Sequence, residues 1–320
     1  MNILLLGGGG FGFSHAKSYM KQGYEFSVFS RNEAVLRKYE EEFGVKKTFS
    51  DIHQALESSC EMVDMALPHT LHRELAVKAM KEGRHVLLEK PISTTLADAD
   101  EMINVSEETG TKFMVAEQFF FDSSLRSATK LVKEGKIGKV NTIIVRNQRF
   151  FNEPGWRNNE KLMGGGALID GGIHFIEALL DLGGEYKQIH SSVYKGSASI
   201  EGEDNTAALF SFNSGATGLF FYSWSYKDPP HVPSYEIVGM KGSIVESTEK
   251  RYPSEGKELP TVCFGKPVLN GVIQEIEEKD VIDMEISGFI GAIEKNEKVP
   301  YPPELARRNL EAVLEIYSKT

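Results

Sequence analysis

Four apolar residues, Ile3-Leu4-Leu5-Leu6, run straight into four glycines, Gly7-Gly8-Gly9-Gly10, and then into Phe11-Gly12 at the head of a helical stretch. That junction constrains the fold more than any other part of the chain: it reads as a buried strand turning sharply into a helix. The pattern then repeats. Residues 13–22 read as a helix closed by Gly23, residues 25–30 as a strand, and Asn32 as the cap of a helix that stops at Gly44. Residues 62–67 form the next apolar strand, ended by Pro68. Residues 72–81 are helical, 85–89 form a strand ended by Pro91, 94–109 are helical, and 112–117 are strand-like. Strand–helix alternation at this spacing predicts an α/β fold with a doubly wound parallel sheet.

The texture changes near residue 120. Residues 124–133 read as a helix and 140–150 as a long strand, followed by an irregular polar stretch over 152–162. Residues 167–182 read as an apolar helix between glycine clusters. Hairpin turns at Asn213-Ser214-Gly215 and Lys241-Gly242 predict a largely antiparallel sheet. Residues 250–272 are turn-rich, and two helices, 282–295 and 303–319, close the chain, the second started by Pro303. The expected organisation is a first domain over 1–120 and an α+β second domain over 121–320, with the closing helix free to pack back on the first.

Charge and cysteine content narrow the function classes. With 46 Asp and Glu against 36 Lys and Arg, the net charge is −10, which disfavours a nucleic-acid or anionic-membrane partner. Cys60 and Cys263 are too few for a disulfide framework or a cysteine-rich zinc module, and they fit a reduced, cytoplasmic setting. No basic segment precedes Ile3 and the glycines end its apolar run, so it does not read as a signal peptide. No apolar stretch reaches membrane-spanning length.

Gly7, Gly9 and Gly12 make G-x-G-x-x-G in the strand–turn–helix context that gives the pattern meaning. Gly7 permits the tight turn, Gly9 lets the backbone approach a pyrophosphate, and Gly12 allows close helix–strand packing. The helix N-terminus then faces the phosphates. A plain glycine turn is the alternative. The second strand ends Val28-Phe29-Ser30-Arg31-Asn32, without the carboxylate that holds an NAD ribose. Ser30 does not repel a 2′-phosphate and Arg31 can grip one, so the expectation favours NADP over NAD. The alternative has Arg31 stacked on adenine or facing solvent.

At the chemical end, Glu89-Lys90-Pro91 closes a parallel strand, where ligands of such sheets sit. A lysine there can stabilise negative charge developing on a substrate oxygen. Asp170 and His174 stand four apart in a glycine-rich helix, which places both on one face. Histidine is the natural proton carrier near neutrality, and Asp170 can orient it or hold a substrate hydroxyl. The bland alternative is a buried histidine satisfied by its neighbour. His69-x-x-His72 is a possible metal pair, but no supporting ligand spacing accompanies it, and no metal is expected. No G-x-S-x-G elbow marks a serine hydrolase.

Together these elements resemble the Gfo/Idh/MocA family, the relatives of glucose–fructose oxidoreductase and inositol dehydrogenase. The resemblance runs through Gly7 to His15, Ala66-Leu67-Pro68-His69, His72, the Glu89-Lys90-Pro91 triplet, Gly135 to Gly138, Trp156-Arg157, Gly165 to His174 and Glu203-Asp204-Asn205-Thr206. It implies a Rossmann domain followed by an α+β domain whose large open, mainly antiparallel sheet forms a homodimer or homotetramer. It implies cofactor contacts at Gly7, Gly9, Phe11, Gly12, Ser30, Arg31, Leu67, Pro68, His69, His72, Glu89 and Lys90. It also implies a catalytic set of Lys90, Asp170 and His174 working on a sugar, sugar derivative or cyclitol. His174 is the expected general base and Lys90 the polarising cation. Substrate contacts are expected from Lys90, Gln118, Trp156, Arg157, Asp170 and His174. One departure is the triplet Phe119-Phe120-Phe121, with Phe120 about where relatives carry Arg; at least two of the three read as core. Two other readings within the family stay open here: a dinucleotide-binding transcriptional regulator and an NAD-dependent glycosidase.

Overall fold

A computed structural model describes residues 1–152, 155–249 and 259–319. Glu153, Pro154 and residues 250–258, parts of the two stretches read as irregular or turn-rich, lie outside the described residues. The internal contacts divide the chain into two units: residues 1–117 with 282–307, and residues 118–281 with 308–320.

The first unit carries a six-stranded sheet. Its strands are β1 (Ile3–Leu6), β2 (Phe26–Phe29), β3 (Thr48–Phe49), β4 (Met62–Met65), β5 (His85–Glu89) and β6 (Phe113–Ala116). All pair in parallel in the order β3-β2-β1-β4-β5-β6. The order reverses between β1 and β4, so a crevice opens at their carboxyl ends. β1 is wholly apolar and β4 is apolar apart from the buried Asp64, with Leu4, Leu5, Leu6, Val63 and Met65 inaccessible, as sheets covered on both faces require. The helices are α1 (Phe11–Gln22), α2 (Glu33–Phe43), α3 (Ile52–Glu57), α4 (His72–Lys81) and α5 (Leu96–Thr109). Local chemistry sets several ends: the Asn32 side chain accepts from the Ala34 amide, and Gly23, Gly44 and Gly110 close helices in the left-handed conformation.

The helix Val281–Glu294 also belongs to this unit from its second residue onward. The sequence boundary at 120 assigned it to the second domain. Its apolar positions Ile286, Phe289 and Ile290 are buried, and its start is tied to α1, where Ser18 Oγ donates to Asp283 Oδ1 at 2.7 Å. Contacts 265 residues apart in sequence leave no local trace.

The second unit holds α6 (Ser123–Lys133), α7 (Glu160–Met163), α8 (Ile173–Gly183) and eight strands: β7 (Val140–Gln148), β8 (Tyr186–Tyr194), β9 (Asn205–Phe212), β10 (Thr217–Ser223), β11 (Tyr235–Gly239), β12 (Gly242–Glu246), β13 (Pro267–Leu269) and β14 (Val272–Ile273). They form one sheet in the order β14-β13-β12-β11-β7-β10-β9-β8, antiparallel except for β7 with β10. Both expected hairpins are present. One face buries Phe210, Phe212, Phe220, Tyr222, Ile143, Val145 and Ile237. α8 packs there so closely that a Cβ on Gly183 would lie 2.3 Å from the Phe212 ring. Val281–Glu294 is α9 and Pro303–Ser318 is α10; residues 308–320 go with the second unit, where Asn309 Nδ2 donates to Glu177 Oε2 at 2.6 Å.

Truncating Phe289 to Ala should lower the unfolding free energy by about 3–5 kcal/mol, the usual cost of emptying a fully buried aromatic site. Denaturant titration measures it; a loss below about 1 kcal/mol would mean that α9 does not share this core.

Candidate active site

The glycine run is shaped for close approach. Gly7 has φ +103°, and a Cβ there would lie 2.1 Å from the Ala66 carbonyl oxygen. A Cβ on Gly12 would lie 1.9 Å from the Gly7 carbonyl oxygen. Gly9 instead faces open space, and no side chain caps α1 at Gly10. The first amides of α1 are therefore presented at the crevice where β1 and β4 diverge, which suits a pyrophosphate. At the end of β2, Ser30 Oγ accepts from the Asn32 amide at 3.2 Å and Arg31 is exposed. Among the described residues no carboxylate pairs with Arg31. This cradle fits a dinucleotide and carries no acid against a 2′-phosphate.

Leu67, Pro68, His69 and His72 follow β4, Glu89 ends β5 and Lys90 follows it, so the expected cofactor residues lie at carboxyl ends of the parallel sheet, in the turns after them or in the first turn of the helix that follows. His72 is fully buried. Its Nδ1 is 2.9 Å from the Pro91 carbonyl oxygen and its Nε2 3.0 Å from that of Leu67. Burial, with His69 beside it, pulls its pKa down to about 4. The ring lies between the turn after β4 and the turn after β5, and in its neutral form it donates to one of these two carbonyl oxygens; the Lys90–Pro91 bond is cis.

Glu89, the residue before Lys90, belongs to a buried ionisable network. His15 Nδ1 is 2.9 Å from Asp64 Oδ2, which also accepts from the Tyr19 hydroxyl at 2.7 Å. His15 Nε2 lies 3.4 Å from Glu89 Oε1 and 3.8 Å from Glu285 Oε1. Burial opposes charge on His15, but Asp64 and Glu89 outweigh it and raise its pKa well above the ordinary value. Burial raises Glu285 well above its ordinary value too; His15 opposes this, while Glu89, Glu117 and Asp64 reinforce it. These shifts favour the imidazolium form of His15, in contact with Asp64 and Glu89, and the neutral form of Glu285. Among the described residues no cluster of three or more His, Cys, Asp or Glu side chains is arranged to hold a metal ion.

In the second unit, a single helical run carries Asp170 and His174, but it is not the regular α-helix expected from residues 167–182. Leu168–Gly172 is a π-helical turn that feeds into α8. The i,i+4 geometry inferred from sequence therefore does not apply across this run. Gly171 and Gly172 make room for the Tyr222 ring; a Cβ on Gly171 would lie 2.1 Å from the Tyr222 hydroxyl. Such wide turns need both space and an alternative home for displaced amides. Asp170 is buried, and its Oδ2 accepts from Arg157 Nε at 2.7 Å. The Arg157 guanidinium also lies over the Trp156 indole, 4.5 Å from its centroid. The irregular stretch is thus joined to the π-turn through Trp156, Arg157 and Asp170.

His174 is buried, and its imidazole stacks on the Phe119 ring at 4.8 Å and 16°. Phe119 follows the buried Gln118 in a 3-10 turn and meets Phe175 and Phe264 edge-on. It was read with the core triplet; its role against His174 had no signal in the sequence. Asp64 and Glu285 were missed as well, being acids isolated within apolar runs. Arg157 was read as a substrate contact, and the structure gives it Asp170 as a partner.

Residues 1–117 match the model of the oxidoreductase family with an NAD-binding Rossmann fold, and residues 125–245 match the GFO/IDH/MocA C-terminal domain. Levoglucosan dehydrogenase of Pseudarthrobacter phenanthrenivorans is 24% identical over 290 residues, 78% of this chain and 74% of that protein. Myo-inositol 2-dehydrogenase of Thermotoga maritima is 26% identical over 76% of this chain and 74% of its own length. The NADP(+) scyllo-inositol 2-dehydrogenase IolW of Bacillus subtilis is 27% identical over 70% and 62%. Among solved structures, an oxidoreductase from Thermotoga maritima superposes with a TM-score of 0.86 at 24% identity, covering 99% of this chain and 95% of that one. Levoglucosan dehydrogenase in complex with NADH and levoglucosan superposes with a TM-score of 0.82 at 20% identity, covering 100% and 96%. Both share the fold. The chain belongs to the GFO/IDH/MocA family of nicotinamide-dependent oxidoreductases.

Proposed function

We propose that this protein is a cytoplasmic, NADP(H)-preferring dehydrogenase or reductase that acts on a CH–OH group of a sugar, sugar derivative or cyclitol. The observation that carries the reading is the buried Lys90 at the end of β5, backed by the His15–Asp64–Glu89 network. A buried lysine tethered to a rigid strand end is suited to an oxygen that gains negative charge. The named activities of the relatives, on levoglucosan and on inositols, supply the substrate class. Both cysteines are free thiols, consistent with a reducing compartment, and no helix among the described residues is long and apolar enough to cross a membrane.

The dinucleotide would be held by Gly7, Gly9, Phe11 and Gly12 at its pyrophosphate, and by Ser30 and Arg31 at the adenosine ribose. The turns carrying Leu67, Pro68, His69, His72, Glu89 and Lys90 would form the remaining wall. When bound, the nicotinamide accepts or returns the hydride. In the oxidative direction His174 takes the proton of the substrate hydroxyl on an imidazole nitrogen, while its ring plane is fixed by Phe119. Lys90 donates to the same oxygen and stabilises its charge. Asp170, held by Arg157, positions the substrate hydroxyls, with Trp156 and Gln118 completing the contacts. The NADP preference rests on Arg31 and on the missing carboxylate after β2.

We assign the second unit's open sheet face to self-association. Leu209 pairs with Leu219, which pairs with Ile144, and all three point to the face opposite α8, where the Arg146–Glu236 ion pair also lies. Leu209, Leu219 and Val238 each expose more than a third of their surface. A run of apolar side chains across four strands, bordered by a charge pair, suits a second copy of the chain in a homodimer or homotetramer.

Three measurements test these readings. Lys90→Ala should cut kcat about a hundredfold or more, with a much smaller change in cofactor affinity; near-normal turnover on the sugar or polyol that the wild type oxidises would remove Lys90 from the reacting carbon. Arg31→Ala should weaken NADPH by about 1.5–3 kcal/mol in a nicotinamide-fluorescence titration and leave NADH unchanged. Equal loss for both would sink the phosphate assignment. Leu219→Lys should convert the oligomer to monomer in light scattering, and an unaltered mass would exclude this face.

A further inference from the structure

The sequence run Glu203-Asp204-Asn205-Thr206 has no place in the chemistry above. Asp204 and Asn205 serve the loop they sit in: Asp204 Oδ2 accepts from the Ala198 amide at 2.7 Å and Asn205 Oδ1 from the Ser223 hydroxyl at 2.7 Å. Glu203 instead reaches the turn that carries Asp170. Its Oε1 accepts from the Leu168 amide at 2.7 Å and from the Tyr317 hydroxyl at 2.9 Å. Its backbone carbonyl accepts from the Ala167 amide at 2.8 Å. The Tyr317 oxygen accepts from the amides of Gly166 at 3.4 Å and Ile169 at 3.2 Å. A helix leaves its first four amides without intrahelical partners. Here the four amides of 166–169 all end on two residues, from the loop just before β9 and the end of α10. Gly166 makes this possible, because a Cβ there would lie 2.2 Å from Glu203 Oε2.

We propose that Glu203 and Tyr317 are positioning residues that latch the Asp170 turn, and that the latch holds with a neutral Glu203 and loosens when that carboxyl ionises. The geometry accommodates the neutral form: one carbonyl oxygen has two lone pairs, enough for both the Leu168 amide and the Tyr317 hydroxyl. The groups facing Glu203 are the Tyr317 phenol from α10 and the Glu160 carboxylate from α7. Burial pushes its pKa up to about 7, opposed by the Leu168 and Tyr317 hydrogen bonds and aided by Glu160. A carboxyl whose pKa is higher when latched than when solvated favours the latched state below its ordinary value of 4.5 and progressively favours release as pH rises through about 7. The effect on turnover rests on the role proposed for Asp170; the latch itself does not.

Hydrogen–deuterium exchange of the peptide spanning 164–174, corrected for intrinsic rates, reads the latch without substrate. In the wild type, protection should fall about tenfold between roughly pH 6 and pH 9. Glu203→Gln, an uncharged isostere, should stay protected across that range. Tyr317→Phe should lose protection at every pH while keeping the pH slope that belongs to Glu203. Identical pH profiles for wild type and Glu203→Gln would overturn the proposal. In parallel, wild-type kcat should show an alkaline decline that Glu203→Gln lacks, with cofactor KM unchanged. If protection follows this pattern and kcat does not, the latch stands and it is the catalytic role of Asp170 that fails.

Discussion

The imidazolium of His15, enclosed between Asp64, Glu89 and Glu285, is the contact on which the nucleotide end of the first unit depends. Its partners come from β4, β5 and α9, and His15 itself from α1. One side chain thus ties the helix after the glycine run to the strand that ends at Lys90 and to a helix from the far end of the chain. A carboxylate stripped of water costs several kcal/mol unless a charge or hydrogen bonds answer it. With one imidazolium among several acids, one acid has to give way, and Glu285 does so by holding its proton. The signs agree. Both His15 and Glu285 have raised pKa values, so each contributes most at low pH and loses its contribution as pH rises. The network is consequently secured by protons on both groups, and Glu89 is held beside the lysine proposed to meet the substrate.

The second unit solves a similar problem without a cation. Glu203 is turned towards main-chain amides at the head of a helical run, where a partial positive charge favours an acid. Desolvation still wins and lifts its pKa to about 7. Asp170, the residue directly after the latched amides of 166–169, is treated differently: the Arg157 guanidinium meets it directly at 2.7 Å. Two buried acids that meet at one short turn, one on it and one reaching it from elsewhere in the chain, therefore have different means of support. Glu203, which holds the backbone, accepts from neutral donors, and Asp170, proposed to position the substrate, has a permanent cation.

Much of the first unit was legible because its signals are local. Asn32, Gly23, Gly44 and Gly110 each act within a few residues, and the ends of α2, α4 and β5 follow from such caps and breakers. G-x-G-x-x-G was legible for the same reason, since Gly7 and Gly12 touch each other across one turn. The π-turn was not. It is imposed by Tyr222, Glu203 and Tyr317, from 35 to 149 residues away from Leu168 by the sequence numbering, so the apolar pattern of 167–182 read as an ordinary helix. α9 was misassigned because helical periodicity says that a helix has a buried face and nothing about what buries it. Phe119 looked like core for a related reason: an aromatic ring packed on an imidazole and one packed on Phe175 leave the same mark in a sequence.

The same distinction bears on substrate selection. The irregular stretch around Trp156 carries no pattern of its own, but it is anchored at two points to rigid structure. Arg157 reaches Asp170, and the Asn158 carbonyl accepts from the Glu201 amide at 3.0 Å, two residues before the Glu203 latch. Changes in this stretch are therefore transmitted to the Asp170 turn through a guanidinium and through the strand-start loop, not through the loop's own flexibility. A substitution at Trp156 that removes the indole face leaves the guanidinium that meets Asp170 with a weaker hold. On the roles proposed above, the substrate contacts and the residue that positions the substrate belong to one connected unit, so the two properties are expected to vary together.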